Sequence, residues 1–160
     1  MIDALSDVTF YKQGLIRTPV VANNAIEPFV SEGVPELWTY YCCSQVESVS
    51  NRFIAMPSAR TRILGTQLYC YSVKGFLHWG FNFYSNERSR KHIDPWKTAD
   101  GYGSWPAGDP FLVYPGEDGM PVESIHGTVL RQAMADHRLL CLAESKLGRE
   151  KVCALLRDSW

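Results

Sequence analysis

The stretch GFLHWGFNFY at residues 75–84 decides how this chain folds. It holds five aromatic residues and no charged one, a composition that favours a β-strand. Because side chains alternate across a strand, one face is wholly apolar and includes Trp79 and Phe81, whereas the other carries His78 and Asn82. Buried polar groups cost free energy unless they are hydrogen-bonded. The sequence therefore predicts that the polar face borders a binding site or a polar network, and that the apolar face packs on helices.

Two segments before this stretch complete a pattern of strand and helix. The segment ELWTYYCC at residues 36–43 is rich in β-favouring residues and reads as a strand. Residues 57–73 place apolar side chains at helical spacing, and Pro57 suits the first turn of a helix. A strand, a helix and a second strand in this order form a βαβ unit, whose strands pair in parallel through a right-handed crossover.

The rest of the chain supplies further elements of both kinds. Residues 1–5 and 111–114 are short strand candidates. Ser124 is the predicted N-cap of a long helix that ends at Gly148. Residues 17–34 contain two prolines and a glycine, and are predicted to be an irregular connection. About four short strands, each followed by loop and helix, indicate an α/β fold.

The length of the chain limits the form that such a fold takes. An eight-stranded (β/α) barrel needs at least about 200 residues, and this chain has 160. We therefore expect about half of a (β/α)8 TIM-type barrel, with parallel strands and flanking helices, in a single domain over residues 1–160. Active sites of such barrels lie at the carboxyl ends of the strands, where the long loop at residues 85–110 also falls. Half a barrel exposes two sheet edges and an apolar face, so we expect a missing N-terminal half or self-association.

Composition and charge exclude several classes of function. The formal net charge of -1 argues against a nucleic-acid partner, which requires a basic excess or stripe. No apolar segment is long enough to cross a membrane, and the N-terminus lacks a signal-peptide pattern. The default compartment is therefore the cytoplasm, unless a full-length protein carries a signal peptide. The cysteines and histidines lack metal-ligand spacing and no phosphate loop is present, so we expect neither a metal nor a cofactor.

Several strings of residues resemble one enzyme family. They are LWTYYCC (37–43), SNRFIAMPSARTRILGTQLY (50–69), GFLHWGFNFY (75–84), DPW (94–96), GDPFLVYPGEDG (108–119) and PVESI (121–125). Together they resemble the C-terminal domain of glycoside hydrolase family 123-like proteins, formerly an unknown-function domain of bacterial proteins. The resemblance implies the last part of a (β/α)8 barrel that follows a β-sandwich. It also implies hydrolysis of terminal β-linked N-acetylgalactosamine or a similar N-acetylhexosamine.

The same resemblance implies a substrate-assisted mechanism, in which the acetamido group of the sugar attacks the anomeric carbon. In the family an adjacent aspartate and glutamate serve this step: the aspartate orients the acetamido group and the glutamate is the acid/base. This chain contains no Asp-Glu dipeptide, and Glu117-Asp118 is reversed within a turn. We therefore expect no catalytic residue here. The pair would lie upstream, and this chain would supply the wall of the substrate pocket.

Side chains suited to sugars lie at the predicted strand ends and in the long loop. Aromatic rings stack on the apolar faces of sugars, and acids and amides bind their hydroxyls. The candidate substrate-binding residues are Trp38, Tyr40, His78, Asn82, Asp94, Trp96 and Tyr114. A buried polar network is an equal alternative for His78 and Asn82, as is loop anchoring for Asp94 and Trp96. The alternative functions are a non-catalytic carbohydrate-binding or structural module, and an inactive truncated fragment.

Overall fold

The chain folds around one parallel sheet. A computed structural model describes residues 1–46 and 48–158. Within them, four parallel strands hydrogen-bond in the order in which the chain reaches them. They are β1 (Ile2–Leu5), β2 (Thr18–Ala22), β3 (Trp38–Tyr40) and β4 (Gly75–Leu77). The predicted α/β class is confirmed, and so is the parallel βαβ unit that ends at β4.

Six α-helices accompany the strands in the described part of the chain. They are α1 (Thr9–Lys12), α2 (Glu27–Ser31), α3 (Ser58–Arg62), α4 (Leu64–Cys70), α5 (Ile125–Leu147) and α6 (Arg149–Asp158). The helix predicted at residues 57–73 is divided at Ile63 into α3 and α4. The predicted N-cap of α5 is confirmed, because Oγ of Ser124 accepts a hydrogen bond from the backbone N–H of Gly127 at 3.0 Å. Gly148 ends α5 with a φ of 80°, as predicted.

The structure overturns the prediction of an irregular connection at residues 17–34. This segment contains β2, whose last four residues are buried, and then α2. Pro19 argued against a strand because proline lacks the N–H that a strand interior uses. In the fold, Val20 and Val21 lose nearly all their exposed surface between β1 and β3. That apolar burial outweighs the missing donor.

The helices cover one face of the sheet. The main hydrophobic core joins Val21 of β2 and the ring of Phe76 in β4 to Phe29 of α2 and Leu64 of α4. Leu130 of α5 packs against the same core from outside. This face of the sheet is therefore the helix side, and its burial holds the strands in place.

The opposite face of the sheet, which we call the open face, is only partly covered. By strand register it consists of Ile2, Ala4, Thr18, Val20, Ala22, Trp38, Tyr40, Gly75 and Leu77. Val20 is buried at its centre, but Ile2, Trp38 and Leu77 are 70%, 36% and 43% exposed. The outer edges of β1 and β4 have no strand partner among the described residues.

The strand predicted at residues 75–84 is shorter than expected, because β4 ends at Leu77. The chain then turns, and the backbone N–H of Gly80 donates to Nδ1 of His78 at 3.0 Å. Gly80 packs so closely against the carbonyl groups of Asp109 and Pro110 that a Cβ there would overlap them. These local contacts replace the sheet ladder beyond Leu77.

The residues of this stretch that follow β4 do not keep the two faces that were predicted. Phe76 and His78 point to the helix side, where their ring centroids lie 4.9 and 5.3 Å from that of Tyr41. The prediction that Trp79 and Phe81 pack on helices is wrong, since they are 38% and 57% exposed. His78 turns inward because Gly80 and Asp109 supply the hydrogen-bonding groups that satisfy it, whereas Asn82 of the same predicted face is exposed.

The long loop between β4 and α5 ends in a small hairpin. Its strands, β5 (Val113–Pro115) and β6 (Pro121–Glu123), pair antiparallel. This places a strand close to the one predicted at residues 111–114. None of the helices described is both long enough and apolar enough to cross a membrane.

Candidate functional site

A fully buried carboxylate organises the end of β4. Asp109 has no exposed surface. Its Oδ1 lies 3.1 Å from Nε2 of His78, and its Oδ2 accepts a hydrogen bond from the indole Nε1 of Trp79 at 3.0 Å. Each carboxylate oxygen thus meets a ring nitrogen from one of two consecutive residues. Asp109 thereby ties the long loop to the residues that follow β4.

Arg52 holds the same loops together from the other side. Its side chain is almost fully buried, and Nη2 donates to the carbonyl oxygens of Gly80 and, at 2.7 Å, of Asp109. Burial lowers the pKa of Arg52, and this shift is opposed by Tyr41 and Asp109. Arginine nonetheless stays charged in proteins. Arg52 therefore places a positive charge next to the buried carboxylate.

The segment that carries Arg52 is itself anchored by Asn51. Its Oδ1 accepts the backbone N–H of Arg52 at 2.7 Å. Its Nδ2 donates to the carbonyl oxygens of Cys42 and Gln45 at 2.9 and 2.7 Å. Thr61 of α3 completes the arrangement by donating to the carbonyl oxygen of Asn51 at 3.1 Å. The loop between β3 and α3 is therefore fixed by buried hydrogen bonds, which orients the guanidinium.

His78 is buried and neutral at pH 7. Its side chain is 6% exposed. Burial lowers the pKa of His78 and the charge of Arg52 acts in the same direction, whereas the hydrogen bond with Asp109 opposes both. A neutral ring with its proton on Nε2 donates to Asp109, while Nδ1 accepts the N–H of Gly80. Of the two alternatives for His78, the structure shows the buried polar network.

Trp79 presents a partly exposed aromatic surface beside this network. Its ring centroid lies 4.8 Å from that of Trp105 and 5.2 Å from that of Phe83. The hydrogen bond to Asp109 fixes one edge of the indole and the two rings flank it. Part of the ring nevertheless remains open to solvent. An indole held in this way offers a flat apolar surface suited to stacking.

Two predicted site residues, Trp38 and Tyr40, lie on the open face. Tyr40 ends β3 and pairs with Leu77 at the end of β4. Burial raises the pKa of Tyr40, so its hydroxyl stays protonated and can both donate and accept hydrogen bonds. Trp38 pairs with Gly75, two residues before Tyr40 and Leu77 on the same face of the sheet. The structure therefore brings Trp38 and Tyr40 together on one surface.

Trp96 packs beside the first strand of the hairpin, where it contacts Tyr114, and Asp94 fixes the backbone of Trp96. The ring centroids of Trp96 and Tyr114 are 4.8 Å apart, and Nε1 of Trp96 donates to the carbonyl oxygen of Pro115 at 3.1 Å. Oδ1 of Asp94 accepts the backbone N–H of Trp96 at 3.0 Å, and Oδ2 lies 3.2 Å from Nζ of Lys97. Asp94 thus anchors the loop, while Trp96 remains 60% exposed.

Asn82 belongs with this second group and not with His78. It forms an isolated antiparallel bridge with Phe111, whose ring centroid lies 5.2 Å from that of Tyr114. Six of the seven predicted residues therefore fall into two groups, and the seventh, His78, is buried apart from both. Trp38 and Tyr40 form the first group, and Asn82, Asp94, Trp96 and Tyr114 form the second.

Comparison with known protein families identifies the family of this chain. The sequence model of the glycoside hydrolase 123 catalytic domain matches residues 1–143. The chain belongs to this family. The match covers the whole parallel sheet, the Asp109 network, the hairpin and most of α5. Among curated proteins, no match to this chain was found.

A solved structure supports the fold of this glycoside hydrolase 123 domain. It is a family 123 glycoside hydrolase from Clostridium perfringens, analysed for the hydrolysis of glycolipid glycans. The two share 18% sequence identity with a TM-score of 0.68, over 91% of this chain. At this identity the likeness concerns the fold alone. The chain spans 26% of the length of that protein.

Three residues of this glycoside hydrolase 123 domain were not among the predicted site residues: Arg52, Trp79 and Asp109. For Arg52 and Asp109, the feature of the sequence that could have indicated a site role is a single charged residue within a string that carries the family resemblance. These strings are NRF at 51–53 and GDP at 108–110. The sequence did not indicate that Arg52 and Asp109, 57 residues apart, would meet. Trp79 was excluded by its assignment to the apolar strand face.

Two cavities of the glycoside hydrolase 123 domain lie elsewhere. One of about 690 Å³ is lined by residues of α2, α4 and the loop after β3, including Gln45 and Gln67. The other, of about 1010 Å³, lies between α4 and α6 and includes Cys70 and Cys153. None of the seven candidates lines either cavity as described. No group of three or more His, Cys, Asp and Glu residues could hold a metal ion within residues 1–46 and 48–158.

Proposed function

We propose that this chain forms one wall of the sugar pocket in a glycoside hydrolase that removes terminal β-linked N-acetylhexosamine, of the N-acetylgalactosamine type. Membership in the glycoside hydrolase 123 family supports a glycosidase. The observation that carries the pocket is Trp79, which is 38% exposed yet held by Asp109, Phe83 and Trp105. Pockets for sugars use rigid aromatic rings because the apolar face of a pyranose stacks on them.

Side chains on the open face suit the rest of such a pocket. Tyr40 and Leu77 end adjacent strands on the open face, with Trp38 one layer below. A phenol hydroxyl can bind a sugar hydroxyl, while the indole and leucine cover apolar edges. In this proposal Trp38 forms the floor and Tyr40, Leu77 and Trp79 form the wall. His78 acts indirectly, through its contact with Asp109.

The topology of the sheet supports the second half of a (β/α)8 barrel as the setting. Doubly wound folds reverse their strand order and carry helices on both faces. Here the order is sequential and the main core lies on one face. A barrel would close the open face with further strands, and the chain spans only 26% of the Clostridium perfringens family member. We propose that the N-terminal half of a barrel completes this sheet, and that the chain self-associates when that half is missing.

The second group of residues would extend the contact with a glycan. Trp96 is exposed and is buttressed by Tyr114 and by the carbonyl group of Pro115. Asn82 is exposed, and its backbone pairs with that of Phe111, whose ring contacts Tyr114. An aromatic platform with a nearby amide fits a sugar unit beyond the terminal one. Asp94 supports this platform by fixing the backbone of Trp96.

The acid/base pair is proposed to lie outside this chain. Asp109 is enclosed between His78 and Trp79, and Asp94 is engaged by the N–H of Trp96 and by Lys97. Neither is free to protonate a glycosidic oxygen, and the chain has no Asp-Glu dipeptide. We therefore infer that the isolated chain binds sugar without cleaving it. A chromogenic β-N-acetylgalactosaminide should show no turnover, and clear turnover by the purified chain would contradict this inference.

Titration of the chain with methyl β-N-acetylgalactosaminide, followed by tryptophan fluorescence, tests the pocket. We expect saturable binding that Trp79→Ala weakens about thirtyfold, because truncating an aromatic anchor of a binding site costs about 2 kcal/mol. The matched control is Tyr102→Ala, which removes an aromatic ring that is 59% exposed in the same long loop. Equal affinities of the two variants would contradict the assignment of Trp79. Absence of saturable binding would favour the structural-module alternative.

A further inference from the structure

We propose that Asp109 is a positioning residue for sugar binding, which sets the orientation of the Trp79 indole without touching the sugar. The proposal rests on the sugar pocket proposed above. It assigns part of the affinity of that pocket to a residue with no exposed surface.

The indole of Trp79 is oriented by one hydrogen bond. Tryptophan has a single hydrogen-bond donor, Nε1. In Trp79 this donor bonds Oδ2 of Asp109 at 3.0 Å, which determines which edge of the ring points inward. Trp105 and Phe83 contact the ring but place no acceptor on it. Asp109 therefore fixes the side-chain torsion angles of Trp79. Those angles determine which part of the indole is exposed to solvent.

Asp109 is itself fixed from three directions. His78 meets the other carboxylate oxygen at 3.1 Å, and Arg52 donates to the backbone carbonyl of Asp109 at 2.7 Å. Gly80 lies directly against the same backbone, where any side chain would overlap. A carboxylate held by its backbone and by one oxygen can present the second oxygen in only one direction. The position of Asp109 therefore determines the orientation of the Trp79 indole.

Arg52 strengthens the same arrangement through the backbone. Its guanidinium donates to the carbonyl oxygens of Gly80 and, at 2.7 Å, of Asp109. The segment that carries the Asp109 carboxylate is therefore held in place before a sugar arrives. Because the indole is already restrained in one orientation, less freedom is lost when a sugar stacks on the ring.

A double-mutant cycle in this chain separates positioning from general stability. Trp79→Phe keeps an aromatic ring but removes the donor, and Asp109→Ala removes the acceptor. We expect each single variant to bind methyl β-N-acetylgalactosaminide about tenfold more weakly, as a lost hydrogen bond to a charged group allows. The double variant should bind no more weakly than either, because both act through one hydrogen bond. Asp109→Asn retains one acceptor and should restore part of the affinity, while Glu117→Ala, an exposed acid in the hairpin turn, should leave it unchanged.

The outcomes distinguish this inference from the proposed function. Losses that multiply in the double variant would overturn the positioning role while leaving the sugar pocket intact. A wild-type chain that binds no sugar would overturn the proposed function first. If Asp109→Ala does not fold, hydrogen exchange of the Trp79 indole N–H in the wild-type chain decides instead. Slow exchange in a ring that is partly exposed supports the restraint, and exchange as fast as that of free indole overturns it.

Discussion

The indole ring of Trp38 lies directly over Gly75 of the neighbouring strand. The two residues are register partners in the β3–β4 pair, and a Cβ added to Gly75 would overlap the Trp38 ring. Gly75 is therefore required for space and not for an unusual backbone conformation. The Trp38 ring therefore lies against β4, where it forms an aromatic surface of the open face that is 36% exposed.

Gly75→Ala should displace the Trp38 ring. We expect a loss of about 1–3 kcal/mol in the free energy of unfolding, the usual cost of inserting a methyl group where no space exists. Urea denaturation followed by far-UV circular dichroism measures it. Sugar affinity should also fall, because the floor of the proposed pocket moves.

The matched control is Gly127→Ala in α5. A Cβ at that position meets its neighbours at ordinary contact distances, and alanine favours a helix over glycine by about 1 kcal/mol. This variant should be as stable as the wild-type chain or more so. A Gly75→Ala variant that matches it in stability would show that Trp38 is not confined.

Arg52→Met should unfold the loops at the end of β4. Removing the guanidinium leaves the buried carbonyl groups of Gly80 and Asp109 without this donor, and each buried group left unsatisfied costs about 1–3 kcal/mol. The control is Arg62→Met, which removes an exposed contact with Asp136 at 2.7 Å and should change stability little. Comparable unfolding midpoints for the two variants in urea would contradict the role given to Arg52.

Stability should fall as the pH drops below the ordinary histidine value of 6.5. The pKa of His78 is lowered in the folded state, chiefly by burial, so the unfolded chain binds the proton more readily. The contribution of neutral His78 to the free energy of unfolding is therefore complete above pH 6.5. Below that pH the free energy of unfolding falls by at most about 1.4 kcal/mol per pH unit. Urea denaturation between about pH 8 and 5.5 should show a shallower dependence for His78→Gln. Unchanged pH dependence in that variant would refute the assignment.

The isolated chain should self-associate. The outer edges of β1 and β4 are unpaired among the described residues, and the open face exposes Ile2 and Leu77. Exposed edges and apolar surface both favour association. Sedimentation velocity over a range of concentrations should reveal oligomers, and Ile2→Lys should shift them toward monomer. A monodisperse wild-type monomer that unfolds cooperatively would count against the half-barrel proposal.

The elements predicted correctly are those in which local pattern and burial agree. The βαβ unit, the Ser124 cap and the end of α5 at Gly148 follow from alternation, capping chemistry and a positive φ. β2 was missed because Pro19 is a local signal against a strand, whereas its burial depends on two neighbours distant in sequence. Local rules cannot weigh a tertiary gain of that kind.

The site was less predictable than the fold because its organising contacts are long-range. Alternation placed His78 and Asn82 on one polar face, yet His78 turns inward to Asp109, which also binds Arg52, and Asn82 is exposed. The contacts join residues 31 and 57 positions apart, through loops without regular periodicity. The polarity of a strand face therefore did not indicate whether its side chains would contact solvent or buried groups of a distant loop.

One measurement tests the central claim most directly: the indole ¹H–¹⁵N NMR signals of this chain during titration with methyl β-N-acetylgalactosaminide. The account predicts saturable shifts of the Trp79 and Trp38 signals, which mark the wall and floor of the pocket. Assignment comes from Trp79→Phe and Trp38→Phe, each of which removes one signal. Saturable binding that leaves both signals unmoved, or no binding at all, would contradict the claim that this face holds the sugar.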